Sequence, residues 1–244
     1  MALKTLQYAQ HTFSVSYEIV NPGAQHTVVF LHGWGADKAL MKQAFGNTLD
    51  TFRHVYVDLP GFGNSTAPMA LESEDYANIM ELFLAQVNAN DKEIIVGHSF
   101  GGKVATLLRP QLLVLLSSAG IVWPKPLKIR AKIMLFKLLK SVGLSRLRSR
   151  FVAADAKSLN KVMYETFKRV VNEDFSETFR QFGGRALLCW GREDTATPLK
   201  SGRKIVSLIG RSRLVVFDGD HYFFLQHAEA VAREIADTFT RGAR

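Results

Sequence analysis

Three observations predict an α/β fold with a mostly parallel central sheet. Short apolar runs recur along the chain, as expected of strands buried on both faces. Helical stretches alternate with them. Several runs end in polar or glycine-rich turns at their C-terminal ends, where open parallel sheets gather their active sites.

Taken in order, residues 3–8 and 12–20 alternate apolar with polar and read as an antiparallel hairpin. Residues 27–31 form a strand feeding His32-Gly33-Trp34-Gly35, and 39–49 are helical. A strand at 55–57 precedes a turn at Asp58. Residues 73–89 form a longer amphipathic helix with Ser73 as its N-cap. The strand at 93–96 runs into Gly97-His98-Ser99-Phe100-Gly101, and a short helix over 101–108 is stopped by Pro110. Strands at 112–116, 186–191 and 214–217 follow. Between residues 122 and 180 no strand is evident. Two helical stretches, about 127–142 and 156–171, dominate there, and Pro124 and Pro126 mark the start.

A chain of 244 residues, 47% hydrophobic, buries one large core or a core with an insert. Its single cysteine, Cys189, falls inside a predicted strand and reads as core; it permits no intramolecular disulfide and suggests no zinc cluster. No long apolar run opens the chain and no stretch of about twenty apolar residues occurs, so neither a signal peptide nor a membrane span is predicted. A cytoplasmic protein is the default expectation.

The charge is uneven. Residues 122–180 hold fourteen Lys plus Arg against five Asp plus Glu, a net +9 that equals the formal charge of the whole chain. The run from Leu127 to Lys140 is apolar and basic together. That composition suits an acidic partner, an anionic surface or an anionic substrate. It equally suits a solvated helix face whose Lys and Arg stems snorkel. No nucleic-acid motif accompanies the basic residues, so nucleic acid is not expected.

The chemistry concentrates at Ser99. Glycines two before and two after it let strand and helix nearly touch, which forces the serine onto a sharp turn with its hydroxyl exposed. A serine hydroxyl needs a base, and the base needs a carboxylate to orient it. The turn after the 186–191 strand offers Asp194, with Glu193 as a neighbouring competitor. The turn after the 214–217 strand offers His221, with His227 six residues later.

With these residues in hand, the chain resembles the α/β-hydrolase superfamily over essentially its whole length. The likeness rests on His32-Gly33-Trp34-Gly35, Asp58-Leu59-Pro60-Gly61-Phe62-Gly63-Asn64-Ser65, the serine turn, and the Asp194 and His221 turns, in that order. It implies an α/β-hydrolase core from residues 1–121 and 181–244 and a helical, basic cap at 122–180. It also implies Ser99, Asp194 and His221 as catalytic residues, in the chain order Ser, acid, His. The backbone N–H groups of Trp34 and Phe100 would form the oxyanion hole, with no metal or cofactor. His32 then reads as packing beneath the loop and Asp58 as a turn anchor. The serine argues against the aspartate-nucleophile members. The helix after Ser99 is short for the family.

Two narrower resemblances point to different substrates. The His-Gly-Trp-Gly and Asp-Leu-Pro-Gly-Phe-Gly strings are similar to those of pimeloyl-carrier methyl esterases, which would suit a basic cap and an acidic acyl carrier. The general plan is similar to meta-cleavage-product hydrolases, which split carbon–carbon bonds, although Trp34 is bulkier than their loop usually carries. Carboxylesterase is the common denominator, with thioester cleavage open to the same acyl-enzyme. The expectation from a different class is a non-catalytic hydrolase-fold protein that binds a ligand beneath the cap.

Overall fold

Alternating side chains along the central strands divide the interior into two layers. In β3 (His26–Leu31), Val28 and Phe30 face one layer and Val29 and Leu31 the other. In β6 (Leu112–Leu116), Leu112, Val114 and Leu116 oppose Leu113 and Leu115. A strand apolar on both faces is stable only between two layers of helix. The structure, a computed structural model, describes residues 2–123 and 161–241.

Among these residues eight strands form one sheet. β1 (Ala2–Tyr8) and β2 (His11–Val20) make the expected antiparallel hairpin, and β2 pairs antiparallel with β4 (Phe52–Val57). From β4 onward the sheet is parallel, through β3, β5 (Ile94–His98), β6, β7 (Arg185–Gly191) and β8 (Ser212–Phe217). One layer packs α2 (Ser73–Gln86), α3 (Phe100–Leu107) and α6 (Leu199–Leu208) on the sheet; the other packs α1 (Lys38–Phe45) and α7 (Ala228–Arg241). Cys189 is fully buried in the second layer.

Helix ends depart from expectation in two places. α2 starts at Ser73 itself, with Glu72 as its N-cap, because Asp75 accepts the Glu72 N–H (2.8 Å) in a capping box. The Ser73 hydroxyl is drawn off instead to Glu173. α1 stops at Phe45 rather than near residue 49; Gly46 caps it with an N–H to the Lys42 carbonyl (2.8 Å).

Within 122–180, the described residues contain α4 (Lys161–Val170), which lies inside the expected 156–171 stretch, and a short α5 (Ser176–Arg180) that the periodicity did not suggest. The expected helix at 127–142 lies outside the described residues. The two ends of the segment meet at a neck. Phe175 N–H donates to the Gly120 carbonyl (2.7 Å) and Val122 N–H to Asp174 Oδ2 (3.2 Å).

The loops at the C-terminal edge of the sheet are fixed by buried polar groups. Asp58 accepts from Lys38 N–H (2.8 Å), Lys38 Nζ (2.6 Å) and Asn64 N–H (3.0 Å). Burial raises its pKa, but these donors outweigh burial and hold it below its ordinary range. Gly63 stands at φ +51°, and a Cβ there would lie 2.4 Å from the Asp58 carboxylate, so this turn needs glycine. His32 is buried and neutral: its Nδ1–H donates to the Gly33 carbonyl (2.8 Å) while Nε2 accepts from Leu59 N–H (3.0 Å). His32 thus ties the loop after β3 to the loop after β4.

Breaking a buried pair leaves one charge uncompensated. Asp58→Asn is expected to lower stability by about 3 kcal/mol, roughly a 6–12 °C fall in Tm for a domain of this size, read by thermal denaturation. Buried imidazoles give a second expectation. Burial lowers the pKa of His32, and lowers that of His98 from 6.5 to about 3. Below pH 6.5 the unfolded chain binds protons that the folded one does not, so stability falls as pH drops from 6.5. Urea midpoints should decline between about pH 6.5 and 5, a window in which ordinary carboxylates stay ionised; a flat profile there would refute the neutral-histidine assignment.

Candidate active site

Ser99 is the single residue between β5 and α3, at φ 49°, ψ −113°. Such a backbone conformation costs a non-glycine residue about 1–3 kcal/mol, so the surroundings must impose it. They do so by close approach. A Cβ on Gly97 would meet the Gly101 carbonyl oxygen at 2.4 Å, and one on Gly101 would meet the Leu31 and His32 carbonyl oxygens at 2.5 Å. The turn is tied down by Ser99 N–H to the Leu116 carbonyl (3.1 Å) and Ala119 N–H to the Ser99 carbonyl (3.0 Å).

Asp194 and His221 stand at the ends of β7 and β8, on the same edge as Ser99. His221 Nδ1–H donates to Asp194 Oδ2 (2.8 Å), and the Asp194 side chain is fully buried. The other carboxylate oxygen, Oδ1, accepts Ala196 N–H (2.8 Å) and Thr197 N–H (2.9 Å), an Asx-type turn. Burial raises the Asp194 pKa; hydrogen bonds from His221 and Thr197 outweigh it and hold the carboxyl below its ordinary value. The competitors are turned to other work. Glu193 Oε2 accepts Gly219 N–H (2.5 Å), and His227 Nε2–H donates to the Asp218 carbonyl (2.9 Å).

His98, adjacent to the serine, donates Nε2–H to the His221 carbonyl (3.1 Å), and the two rings lie tilted at 49° with centroids 4.6 Å apart. The loop carrying Trp34 lies against the serine turn: a Cβ on Gly33 would fall 3.1 Å from the Ser99 Cβ. Phe100 begins α3, so its N–H has no acceptor within the helix. No hydrogen bond joins Ser99 to His221 in this conformation.

Ser99 opens on a cavity of about 300 Å³, walled by Trp34, Phe100, Phe167 and Val170 and, toward the neck, by Trp123. The Trp34 ring sits edge-on to Phe62 and Phe100 and 5.3 Å from Phe167 of α4. One wall is polar. Lys103, one helical turn after Ser99, is buried and donates to Glu173 Oε2 (2.5 Å) and the Val170 carbonyl (2.7 Å). Burial lowers its pKa, partly offset by Glu173.

Sequence reasoning missed Lys103, Glu173, His98 and Thr197 as parts of this site. The available signals were a lone lysine inside an otherwise apolar, small-residue helix and a threonine closing an Asp-x-x-Thr-Pro turn. Among the described residues no cluster of three or more His, Cys, Asp or Glu is arranged to hold a metal, and no helix is long and apolar enough to cross a membrane.

Comparison with known proteins places the chain in a family. The chain is 42% identical over 79 residues to the pimeloyl-[acyl-carrier protein] methyl ester esterase of Vibrio campbellii, a match covering 32% of this chain and 29% of that protein. The Vibrio cholerae protein of the same name matches over 90% of this chain and 96% of its own length, at 26% identity. The first of these relatives is therefore spanned over less than a third of its length. The solved structure of a thermophilic esterase from Thermogutta terrifontis superposes with a TM-score of 0.74 over 99% of both chains at 17% identity, a likeness of fold alone. Residues 28–234 match the alpha/beta hydrolase family. With the sheet order, the serine turn and a family match over most of its length, the chain belongs to the alpha/beta hydrolase family.

Proposed function

We propose that the protein is a serine hydrolase that cleaves a carboxylic ester through an acyl-enzyme on Ser99. The observation that carries this reading is the strained Ser99 lining a largely apolar cavity, on the sheet edge where His221 is hydrogen-bonded to the buried Asp194. His221 Nε2 takes the Ser99 proton as Oγ bonds to the substrate carbonyl carbon. The N–H groups of Trp34 and Phe100 receive the resulting oxyanion, whose charge exists only along the reaction path. His221 then passes the proton to the departing alcohol, the C–O bond breaks, and an acyl-serine is left. Water, deprotonated by the same histidine, attacks the acyl carbon and frees the acid and the serine. Asp194 holds the imidazole tautomer and balances the imidazolium.

The segment 122–180 is read as a cap over this cavity, supported by Phe167 and Val170 of α4 in the cavity wall and by the neck at Gly120–Val122. The substrate class we favour is an ester on an acidic acyl carrier. The names of the curated relatives and the +9 charge of the cap segment support it. The carbon–carbon hydrolase and the binding-only protein are the competing readings. The first shares this machinery, and the second has no use for a serine held in strain.

Turnover of p-nitrophenyl esters of increasing chain length is expected for the wild type, with Ser99→Ala lowering kcat by about 10⁴-fold or more. The wild type should also be labelled by a fluorophosphonate probe and Ser99→Ala should not; absence of labelling would favour the binding-only reading. If the cap steers an acidic carrier, kcat/KM for a carrier-bound ester falls with rising salt while that for a neutral ester does not. Equal salt dependence for both would remove the carrier from the proposal.

A further inference from the structure

We propose that Thr197 is a positioning and tuning residue for the Asp194–His221 pair, an inference that rests on the esterase reading above. Its hydroxyl lies within reach of three groups: Asp194 Oδ2 at 2.8 Å, the Ser117 carbonyl at 2.9 Å and His221 Nδ1 at 3.3 Å. A threonine hydroxyl has one proton to donate. His221 Nδ1 already carries the proton it gives to Asp194, so the Thr197 proton is shared between the carboxylate and the Ser117 carbonyl.

The backbone holds that hydroxyl in place from both sides. Thr197 N–H donates to Asp194 Oδ1 (2.9 Å), the Thr197 carbonyl accepts Trp190 Nε1–H (2.7 Å), and Pro198 follows. Ser117 N–H is bonded to the Cys189 carbonyl (3.0 Å), which fixes the strand end carrying the second acceptor. Two backbone N–H groups reach Oδ1, the imidazole and the Thr197 hydroxyl reach Oδ2, and the Ser117 side chain also helps to hold the Asp194 pKa down.

Sharing one oxygen has a chemical consequence. A hydroxyl on Oδ2 withdraws negative charge from the atom that holds the imidazole, so imidazolium is stabilised less than by a bare carboxylate. When the imidazolium forms during reaction, the hydroxyl has a second acceptor at Ser117 and can turn to it. That motion returns the full carboxylate charge to the histidine when it is needed. The ionisable groups packed on His221 are Asp194, the buried His98 and Tyr222, and Thr197→Val leaves all three in place.

The test compares wild type, Thr197→Val and Thr197→Ser by the pH profile of kcat/KM for p-nitrophenyl acetate. Valine keeps the shape and removes the hydroxyl. Its acid limb is expected to move to higher pH, cutting activity near about pH 6 by roughly threefold or more while the alkaline plateau stays within about twofold; serine restores the limb. An unmoved limb, with the plateau kept or lowered, overturns the proposal and leaves Thr197 a structural turn residue. A substrate-free readout separates this failure from failure of the esterase reading. The low-field proton resonance of His221 Nδ1–H should move downfield in Thr197→Val and return in Thr197→Ser. A moved resonance in a protein that turns over no ester sinks the esterase reading alone; an unmoved one sinks the role of Thr197. Should the valine variant fail to fold, Thr197→Ala takes its place in both measurements.

Discussion

The close approach of β5 to α3 at Ser99 is the constraint on which the rest of this edge depends. Gly97 packs on the Gly101 carbonyl, and Gly101 packs on the carbonyls of Leu31 and His32. Strand, helix and the loop after β3 therefore meet with no side chain between them. Any methyl at these positions would push them apart by more than the turn tolerates, and Ser99 would relax to an ordinary backbone conformation. The cost of its strain is met by burial elsewhere in the two apolar layers, where each fully buried Leu, Ile or Phe contributes about 1.5–3 kcal/mol.

Around that point the protein uses buried polar groups as braces rather than as reactive groups. Asp58 and Lys38 set the loop after β4, His32 links the loops after β3 and β4, and Lys103 with Glu173 ties α3 to the segment returning after α4. Glu173 also receives the Ser73 hydroxyl, so one carboxylate joins three elements. Each of these pairs is worth little net in stability compared with apolar packing, yet each is costly to break. Their effect is to fix geometry.

Much of this architecture was legible in the sequence because it rests on local rules. The period-two alternation of the hairpin, the apolar central strands and the Gly-x-Ser-x-Gly turn each follow from steric and burial requirements of a few neighbouring residues. The pairing of His221 with Asp194 was legible as a choice among residues, and the distances now separate Asp194 from Glu193 and His221 from His227. What escaped reading depends on contacts distant in the chain. Ser73 looked like an N-cap because only Glu173, a hundred residues later, diverts its hydroxyl. Lys103 gave no signal because burial of a lysine is decided by a partner that periodicity cannot reveal. Thr197 escaped notice in its turn, since its neighbours Ser117 and His221 follow two other strands.

The neck between Gly120–Val122 and Asp174–Phe175 has a consequence for how such a protein changes over generations. Its two hydrogen bonds close a loop of about fifty residues at its base, beside the cavity but outside the sheet. For a chain closed in this way, doubling the enclosed length costs only about 0.6 kcal/mol. The enclosed segment can be lengthened, shortened or exchanged without altering the register of a single strand. On the proposed reading, reaction chemistry would belong to the sheet edge and substrate preference to an exchangeable insert, so the two would be inherited separately.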